Sequence, residues 1–182
     1  MRLFIAAEIP EEIRKKLFSI QKSIPDAIAK IKWVEKENIH MTLKFLGEVS
    51  EVKVDGIKEA LAALGMKPFE CSVKGFGTFP NEKYVKVIWA GIEPAQPFIR
   101  LHEDIDNALL PLGFEKDPRF SPHVTVGRVR FVRDRERLRE CIETLKNTGI
   151  EENFTISGFV LKNSTLTEKG PVYETVKIFA GK

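Results

Sequence analysis

HMTL, from His40 to Leu43, and HVTV, from His123 to Val126, are two strings of the same kind in a chain of 182 residues. In each, a histidine stands two residues before a threonine inside a run of apolar and β-branched residues, the composition of a strand. Successive strand side chains point to opposite faces. His40 and Thr42 therefore share one face, as do His123 and Thr125, while Met41, Leu43, Val124 and Val126 point away. Each string presents an imidazole beside a hydroxyl over an apolar back. With threonine at roughly one residue in twenty, chance places it two residues after two of three histidines less than about 1% of the time, so the pair reads as one device.

Working outward, the surroundings of the two strings repeat in order. Residues 2–9 alternate as a strand, and Pro10 with Glu11 and Glu12 opens a helix to about Gln21. Residues 31–34 and 39–45 read as strands, and Ser50 caps a helix through Leu64 that Gly65 stops. Strands over 69–79 and 84–92 join through a Pro80-Asn81 turn. A helix over 98–110 follows, with its apolar face at Phe98, Leu101, Ile105, Ala108 and Leu109, and Gly113 closes it. After the strand from His123 through Phe131 come a helix over 134–146 stopped at Gly149, and strands over 153–162 and 172–179.

Counting 35 residues on from His40 reaches Gly75-Phe76, and the same count from His123 reaches Gly158-Phe159. The closing strands end alike, in Ile88-Trp89-Ala90-Gly91 and Ile178-Phe179-Ala180-Gly181. This is the mark of an internal duplication of roughly eighty to ninety residues. It predicts an α+β protein, one bilobal domain over 1–182. Its lobes contain motif units at about 30–92 and 115–182, each an antiparallel sheet with helices on its outer face, with strands open to exchange between sheets. A central cleft on a pseudo-twofold axis would receive one His and one Thr from each side.

Composition sets bounds. An apolar fraction of 43% with 30% charged residues is that of a globular chain able to bury a real core. A net charge of +3 favours an anionic ligand but falls short of the dense basic stripe of a dedicated nucleic-acid binder. The apolar stretch in MRLFIAAEIPEEIRKKL is too short for a signal peptide or membrane span, which predicts a cytoplasmic protein without membrane contact. Cys71 and Cys141 lack CxxC spacing and read as buried reduced thiols.

Two such units carry a definite chemistry. A neutral imidazole accepts a proton, an imidazolium donates one, and an ordinary pKa near about 6.5 allows both at neutral pH. One histidine in each state forms a concerted base and acid across a reacting centre, and the threonine hydroxyls can donate to an oxyanion between them. That suits in-line displacement at a phosphodiester with no cofactor. Metal binding is the competing reading of paired histidines, but the chain has no HExxH, no HxH and no carboxylate cluster beside either string. A GxSxG elbow is absent as well.

These residues resemble the two-histidine phosphoesterase superfamily, marked by paired H-x-T/S-x motifs, and most closely its RNA 2′,3′-cyclic phosphodiesterases, the LigT-like proteins also called 2′-5′ RNA ligases. The resemblance covers nearly the whole chain: RLFIAAEIPEEI at the start, NIHMTLKFLGEV and FSPHVTVGR around the motifs, then GFGTFP and GPVYETVKIF. It implies a bilobal fold with a central water-filled cleft, and hydrolysis of 2′,3′-cyclic phosphate RNA ends to 2′-phosphomonoesters. His40 would protonate the leaving 3′ oxygen, His123 would activate water, and Thr42 and Thr125 would hold the nonbridging oxygens. Phe45 would stack on the terminal base and Arg128 would contact the phosphate. Strict alternation puts both of these on the face away from the histidines, so a bend is required, and Gly127 is a residue able to supply one; otherwise Phe45 is core and Arg128 surface. The partner implied is RNA with a cyclic phosphate end, or a nucleoside 2′,3′-cyclic phosphate, met by a monomer. The rivals are a noncatalytic RNA-binding protein and a phosphodiesterase of small cyclic nucleotides or ADP-ribose cyclic phosphate.

Other signals carry less. Lys53-Val-Asp-Gly56 spells the KxDG of nucleotidyltransferase ligases, but it falls in the first turns of a helix, without companion motifs. His102, four residues before Asp106, reads as a solvated helix histidine. The GFG at 75–77 lacks the GK[ST] ending of a phosphate loop and reads as a strand bend. Of the arginines at 128, 130, 133, 135, 137 and 139, those nearest the cleft could follow an RNA backbone.

Overall fold

The computed structural model describes residues 1–168 and 170–181, and of Lys22 the backbone alone. The elements run β1 (Arg2–Glu8), α1 (Glu11–Ser19), β2 (Ala29–Trp33), β3 (His40–Glu48), α2 (Glu51–Ala62), β4 (Phe69–Asn81), β5 (Tyr84–Glu93), α3 (Ala95–Leu109), β6 (His123–Val132), α4 (Arg135–Lys146), β7 (Glu151–Ile156), β8 (Gly158–Thr167) and β9 (Gly170–Ala180). The strands form one antiparallel sheet in the order β7-β4-β5-β6-β3-β1-β8-β9, with β2 on β6. β6 thus takes its partners β5 and β2 from the N-terminal half of the sequence, and β8 pairs with β1 across the length of the chain.

The curl of this sheet creates two lobes. β3 and β6 share a single register pair, Met41 with Val124, and diverge on either side of it. Each pair member directly follows its histidine. Because the strands run antiparallel, His40 and His123 fall on opposite sides of that pair, the relation a twofold axis imposes. The helices cover the sheet's convex face. Leu3, Ile5 and Ala7 point toward them, whereas Phe4 and Ala6 form a small buried cluster with Val160 and Tyr173 on the other face. β1 is therefore apolar along its whole middle, as a strand covered on both sides must be. Each fully buried Leu, Ile or Phe contributes roughly 1.5–3 kcal/mol.

The helices match the expected spans with instructive differences. Ser50 occupies the position before α2 but makes no side-chain cap, whereas Asp134 accepts a hydrogen bond from the Arg137 backbone N–H at 3.0 Å. The strand expected over 153–162 is broken at Ser157: β7 serves β4, and β8 serves β1 and β9. Gly158 is required at the start of β8, because a Cβ there would lie 2.4 Å from the Phe179 carbonyl oxygen. The turn expected at Pro80-Asn81 lies two residues later. Asn81 Oδ1 accepts from the Lys83 and Tyr84 backbone N–H groups at 3.0 and 3.1 Å, closing the hairpin around Glu82 and Lys83.

His102 is the clear correction. It is 3% exposed, not solvated, since it stands four residues after Phe98 and joins Leu101, Ile105, Asp106 and Leu109 on the buried face of α3. Its Nδ1 meets the Leu43 carbonyl at 2.8 Å and its Nε2 the Asp117 carbonyl at 3.0 Å, while its ring stacks on Phe120 at 4.1 Å. Asp106, equally buried, accepts from Lys44 Nζ at 2.5 Å and from the Asp117 backbone N–H at 2.8 Å. This network ties β3 to the loop that leads into β6. Cys71 and Cys141 are free thiols, and burial pushes Cys71 up to about 12. Among the described residues no helix is long and apolar enough to cross a membrane.

Candidate active site

His40, Thr42, Phe45, His123, Thr125 and Arg128 all line one cavity of about 940 Å³ on the concave face of the sheet. Register irregularities explain how Phe45 and Arg128 come to be there. On β3, Thr42 pairs with Ala6 and Lys44 with Ile5, so Leu43 is an extra residue. On β6, Thr125 pairs with Trp89 and Gly127 with Ile88, so Val126 is extra. A β-bulge leaves two neighbours on the same side and reverses the alternation beyond it. Leu43 and Lys44 are both buried, as are Val126 and Gly127, and the next residue turns back toward the cavity. Phe45 accordingly is 70% exposed rather than core. The bend on β6 does involve Gly127, whose missing Cβ would otherwise meet the Trp33 ring at 2.7 Å.

Both imidazoles are held in the same way. His40 Nδ1–H donates to the Asn38 carbonyl at 2.6 Å, and His123 Nδ1–H to the Ser121 carbonyl at 2.7 Å, in each case two residues upstream. A carbonyl only accepts, so the neutral rings carry their proton on Nδ1 and leave Nε2 as the free base. The Thr42 hydroxyl donates to His40 Nε2 at 3.0 Å. Burial lowers the His40 pKa to about 4, opposed by the Asn38 carbonyl, with Lys162 and Arg128 lowering it further and Glu8 raising it. Burial also lowers His123, opposed by the Ser121 carbonyl and assisted by Arg128.

The walls differ. His40 lies against Phe4 at 5.0 Å and the edge of Tyr173 at 5.4 Å. His123 lies against Phe79 at 4.9 Å and Trp89 at 6.3 Å. Lys162, 13% exposed, holds Glu8 at 2.6 Å beside His40, and Phe79 is its counterpart one repeat earlier. Asn38 and Tyr173 belong to the site although sequence reasoning did not single them out. The Asn38 side-chain amide donates to the Pro171 carbonyl at 2.9 Å and so fastens the β8–β9 hairpin to the turn that holds His40. Their signal was present in the quoted NIHMTL and GPVYETVKIF blocks. Lys53 lies outside the cavity, donating to the Leu112 carbonyl at 3.3 Å, and His102 lies beneath the sheet. Among the described residues no three His, Cys, Asp or Glu side chains gather so as to hold a metal ion.

Two imidazoles with Nε2 atoms free to take or give a proton, two hydroxyls and a guanidinium around one cavity can transfer protons at an oxyanion of phosphate size. The sequence matches the family described as LigT like Phosphoesterase over residues 7–89 and 92–173, in two successive segments that each contain one histidine motif. A protein of Methanocaldococcus jannaschii named RNA 2′,3′-cyclic phosphodiesterase is 41% identical over 178 residues, covering 97% of this chain and 99% of its own. One of that name from Methanothermobacter thermautotrophicus is 38% identical, covering 98% of both chains. A crystal structure of a Thermus thermophilus protein superposes with a TM-score of 0.81 at 30% identity, over 99% of this chain and 97% of that one. Escherichia coli LigT crystallised with 3′-AMP, 24% identical, shares the fold at a TM-score of 0.77 over 99% and 97% of the two chains. With the family profile spanning both motif units and relatives of such identity over their full length, the chain belongs to the LigT-like phosphoesterases.

Proposed function

We propose that this protein hydrolyses RNA 2′,3′-cyclic phosphate ends to 2′-phosphomonoesters by a metal-independent, paired-histidine mechanism. His123 Nε2 takes a proton from water as its oxygen attacks phosphorus. The bond from phosphorus to the 3′ oxygen breaks, and that oxygen takes the proton carried on His40 Nε2. Thr42, Thr125 and Arg128 meet the nonbridging oxygens, and Phe45 stacks on the terminal base, which tolerates any base identity. Since the free imidazoles have lowered pKa values, the bound phosphate anion supplies the field that keeps His40 protonated in the complex. An RNA 5′-hydroxyl in place of water would join two ends by a 2′-5′ bond through the same groups, and the reverse step would cleave that bond. The protein acts as a cytoplasmic monomer in this reading.

The observation that carries the reading is the matched pair of backbone carbonyls, at Asn38 and Ser121, which hold both Nδ1–H groups and leave both Nε2 atoms unprotonated at one cavity. The relatives named RNA 2′,3′-cyclic phosphodiesterase support the substrate class. The test is incubation with a nucleoside 2′,3′-cyclic phosphate in EDTA, followed by phosphorus NMR. Accumulation of the 2′-phosphate is expected. A 3′-phosphate product, or inhibition by EDTA that Zn²⁺ reverses, would overturn the mechanism. Binding without turnover would favour the noncatalytic rival.

A further inference from the structure

The cavity wall is not evenly charged. Lys32, Arg128 and Arg130 line it on the β2–β6 side, and among the described residues none of the three has a carboxylate within ion-pair distance. Eight lysines elsewhere are ion-paired, whereas no arginine among the described residues has a carboxylate partner, so the gathering of three such cations at one wall is what sets this place apart. Glu35 and Glu37 reach the same wall, but Glu37 stands 3.6 Å from Lys36. One guanidinium suffices to meet the phosphate between the histidines. The other two cations need a different explanation.

Their placement is built by the backbone. Lys32 pairs in register with Arg128 across the β2–β6 ladder. Beyond it the ladder skips: Ile31 pairs with Val129 and Lys30 with Phe131, so Arg130 is the extra residue of a second bulge. Arg130 lies on the cavity side by alternation from Arg128, with Val129 buried between them, and the bulge turns Phe131 outward beside it. Lys32 Nζ reaches the mouth of the cleft, where a Cβ on Gly170 of the opposing hairpin would lie 3.7 Å from it. On the equivalent rim of β3, seven residues after its histidine, stands Gly47 where β6 has Arg130. The two sides of a pseudosymmetric cleft thus differ in this respect, and the cationic side continues past the reacting centre toward the opening.

Resting on the function proposed above, we infer that Lys32 and Arg130 form a subsite for the phosphodiester that precedes the terminal nucleotide, so that the RNA strand leaves the cleft along the β2–β6 ribbon. The ligand class is a single-stranded oligonucleotide of at least two nucleotides, bound through its backbone without base identity. Exposed charge contacts of this kind are individually weak, which sets the size of the effect.

The experiment compares kcat/KM for a nucleoside 2′,3′-cyclic phosphate with that for a short oligonucleotide ending in the same group. Lys32→Gln and Arg130→Gln are each expected to lower the oligonucleotide-to-mononucleotide ratio by roughly threefold, and the double variant by about tenfold. Each replacement should also flatten the salt dependence of oligonucleotide affinity by about 0.7 in log–log slope. Arg139→Gln makes the same charge change on α4, away from this cavity, and should leave the ratio unchanged. A ratio unaffected in the double variant, or lowered as much by Arg139→Gln, would overturn the subsite. Affinity for an oligonucleotide with a 2′-phosphate end, read by fluorescence anisotropy, requires no turnover. If cyclic phosphates are not hydrolysed, the function proposed above fails. The subsite is then judged on that affinity alone: a loss in the double variant supports it and an unchanged value refutes it.

Discussion

β3 and β6 carry the same main-chain design and different side chains. From histidine onward each shows the same succession of half-buried and buried positions, each has its first extra residue three places after the histidine, and each fixes Nδ1 on the carbonyl two places before it. One and three places on, one apolar residue replaces another, and changes of character begin four places on. There Lys44 faces Gly127, then Phe45 faces Arg128, and seven places on Gly47 faces Arg130. Repetition of the backbone therefore places the two imidazoles in equivalent positions. Divergence at a few offsets gives the cleft an aromatic side and a cationic side, and so a direction for a substrate that has a base at one end and a phosphate at the other.

The equivalence is broken most severely by removing either imidazole. His40→Ala and His123→Ala are each expected to lower turnover of a nucleoside 2′,3′-cyclic phosphate by roughly 10² to 10⁴, with circular dichroism unchanged. Near-full activity in one of them would reduce the pair to a single functional histidine, and the likeness of the two strands would then be architectural only.

The next largest effect separates the strands by stability. Lys44 is an ammonium at 6% exposure, bound to Asp106 and to the Glu115 carbonyl at 2.7 Å. Lys44→Met leaves the Asp106 carboxylate buried without its cation, and about 3–5 kcal/mol of stability should be lost in urea denaturation. Replacing both partners with apolar residues should recover much of that. At the matching position Gly127→Ala only crowds Trp33 and Ile31, at 2.7 and 2.9 Å from the new Cβ, which is expected to cost about 1–3 kcal/mol. Equal losses at the two sites would mean that the Lys44 network contributes no more than packing.

What the sequence revealed and what it hid follow from the range of the forces involved. Strand alternation is local, so His40, Thr42, His123 and Thr125 could be assigned to shared faces from spacing alone, and the repeat predicted that the two faces would meet. Phe45 and Arg128 resisted, because alternation assigns them to the wrong face unless a bulge intervenes. A bulge is set by the partner strands β1 and β5, which local pattern does not contain. His102 was misread for a related reason. It reads as lying off the apolar face because a polar residue on the buried stripe of α3 is credible only once its partners are known, and Leu43 lies 59 residues away. The break at Ser157 was equally hidden, since it arises from two strands, β4 and β1, competing for one segment.

The divergent positions should separate binding from chemistry. Arg128→Gln is expected to lower kcat by about 10², the loss typical of one preorganised donor to a developing oxyanion. Phe45→Ala removes one base stack and should raise KM roughly tenfold with little change in kcat. Interchange of the two effects, with Phe45 governing kcat, would reverse the orientation of the substrate in the cleft.

The smallest effect concerns pH and depends on sign. In the proposed mechanism the productive free enzyme has one imidazole charged and one neutral, and singly protonated enzyme is most populated between the two pKa values. Burial lowers both, His40 to about 4, so kcat/KM should peak on the acid side of about pH 6.5 and fall as pH rises toward 8. Arg128 lowers both groups through its positive charge, so in Arg128→Gln the surviving activity should peak at higher pH, by a fraction of a unit. Lys162 acts on His40 and is not among the causes of the His123 shift, and Lys162→Met should therefore move one limb of the profile upward and leave the other in place. If both limbs moved alike, or neither moved, His40 would not be one of the two groups that set the profile, and the difference in electrostatic setting between the two strands would have no part in the chemistry.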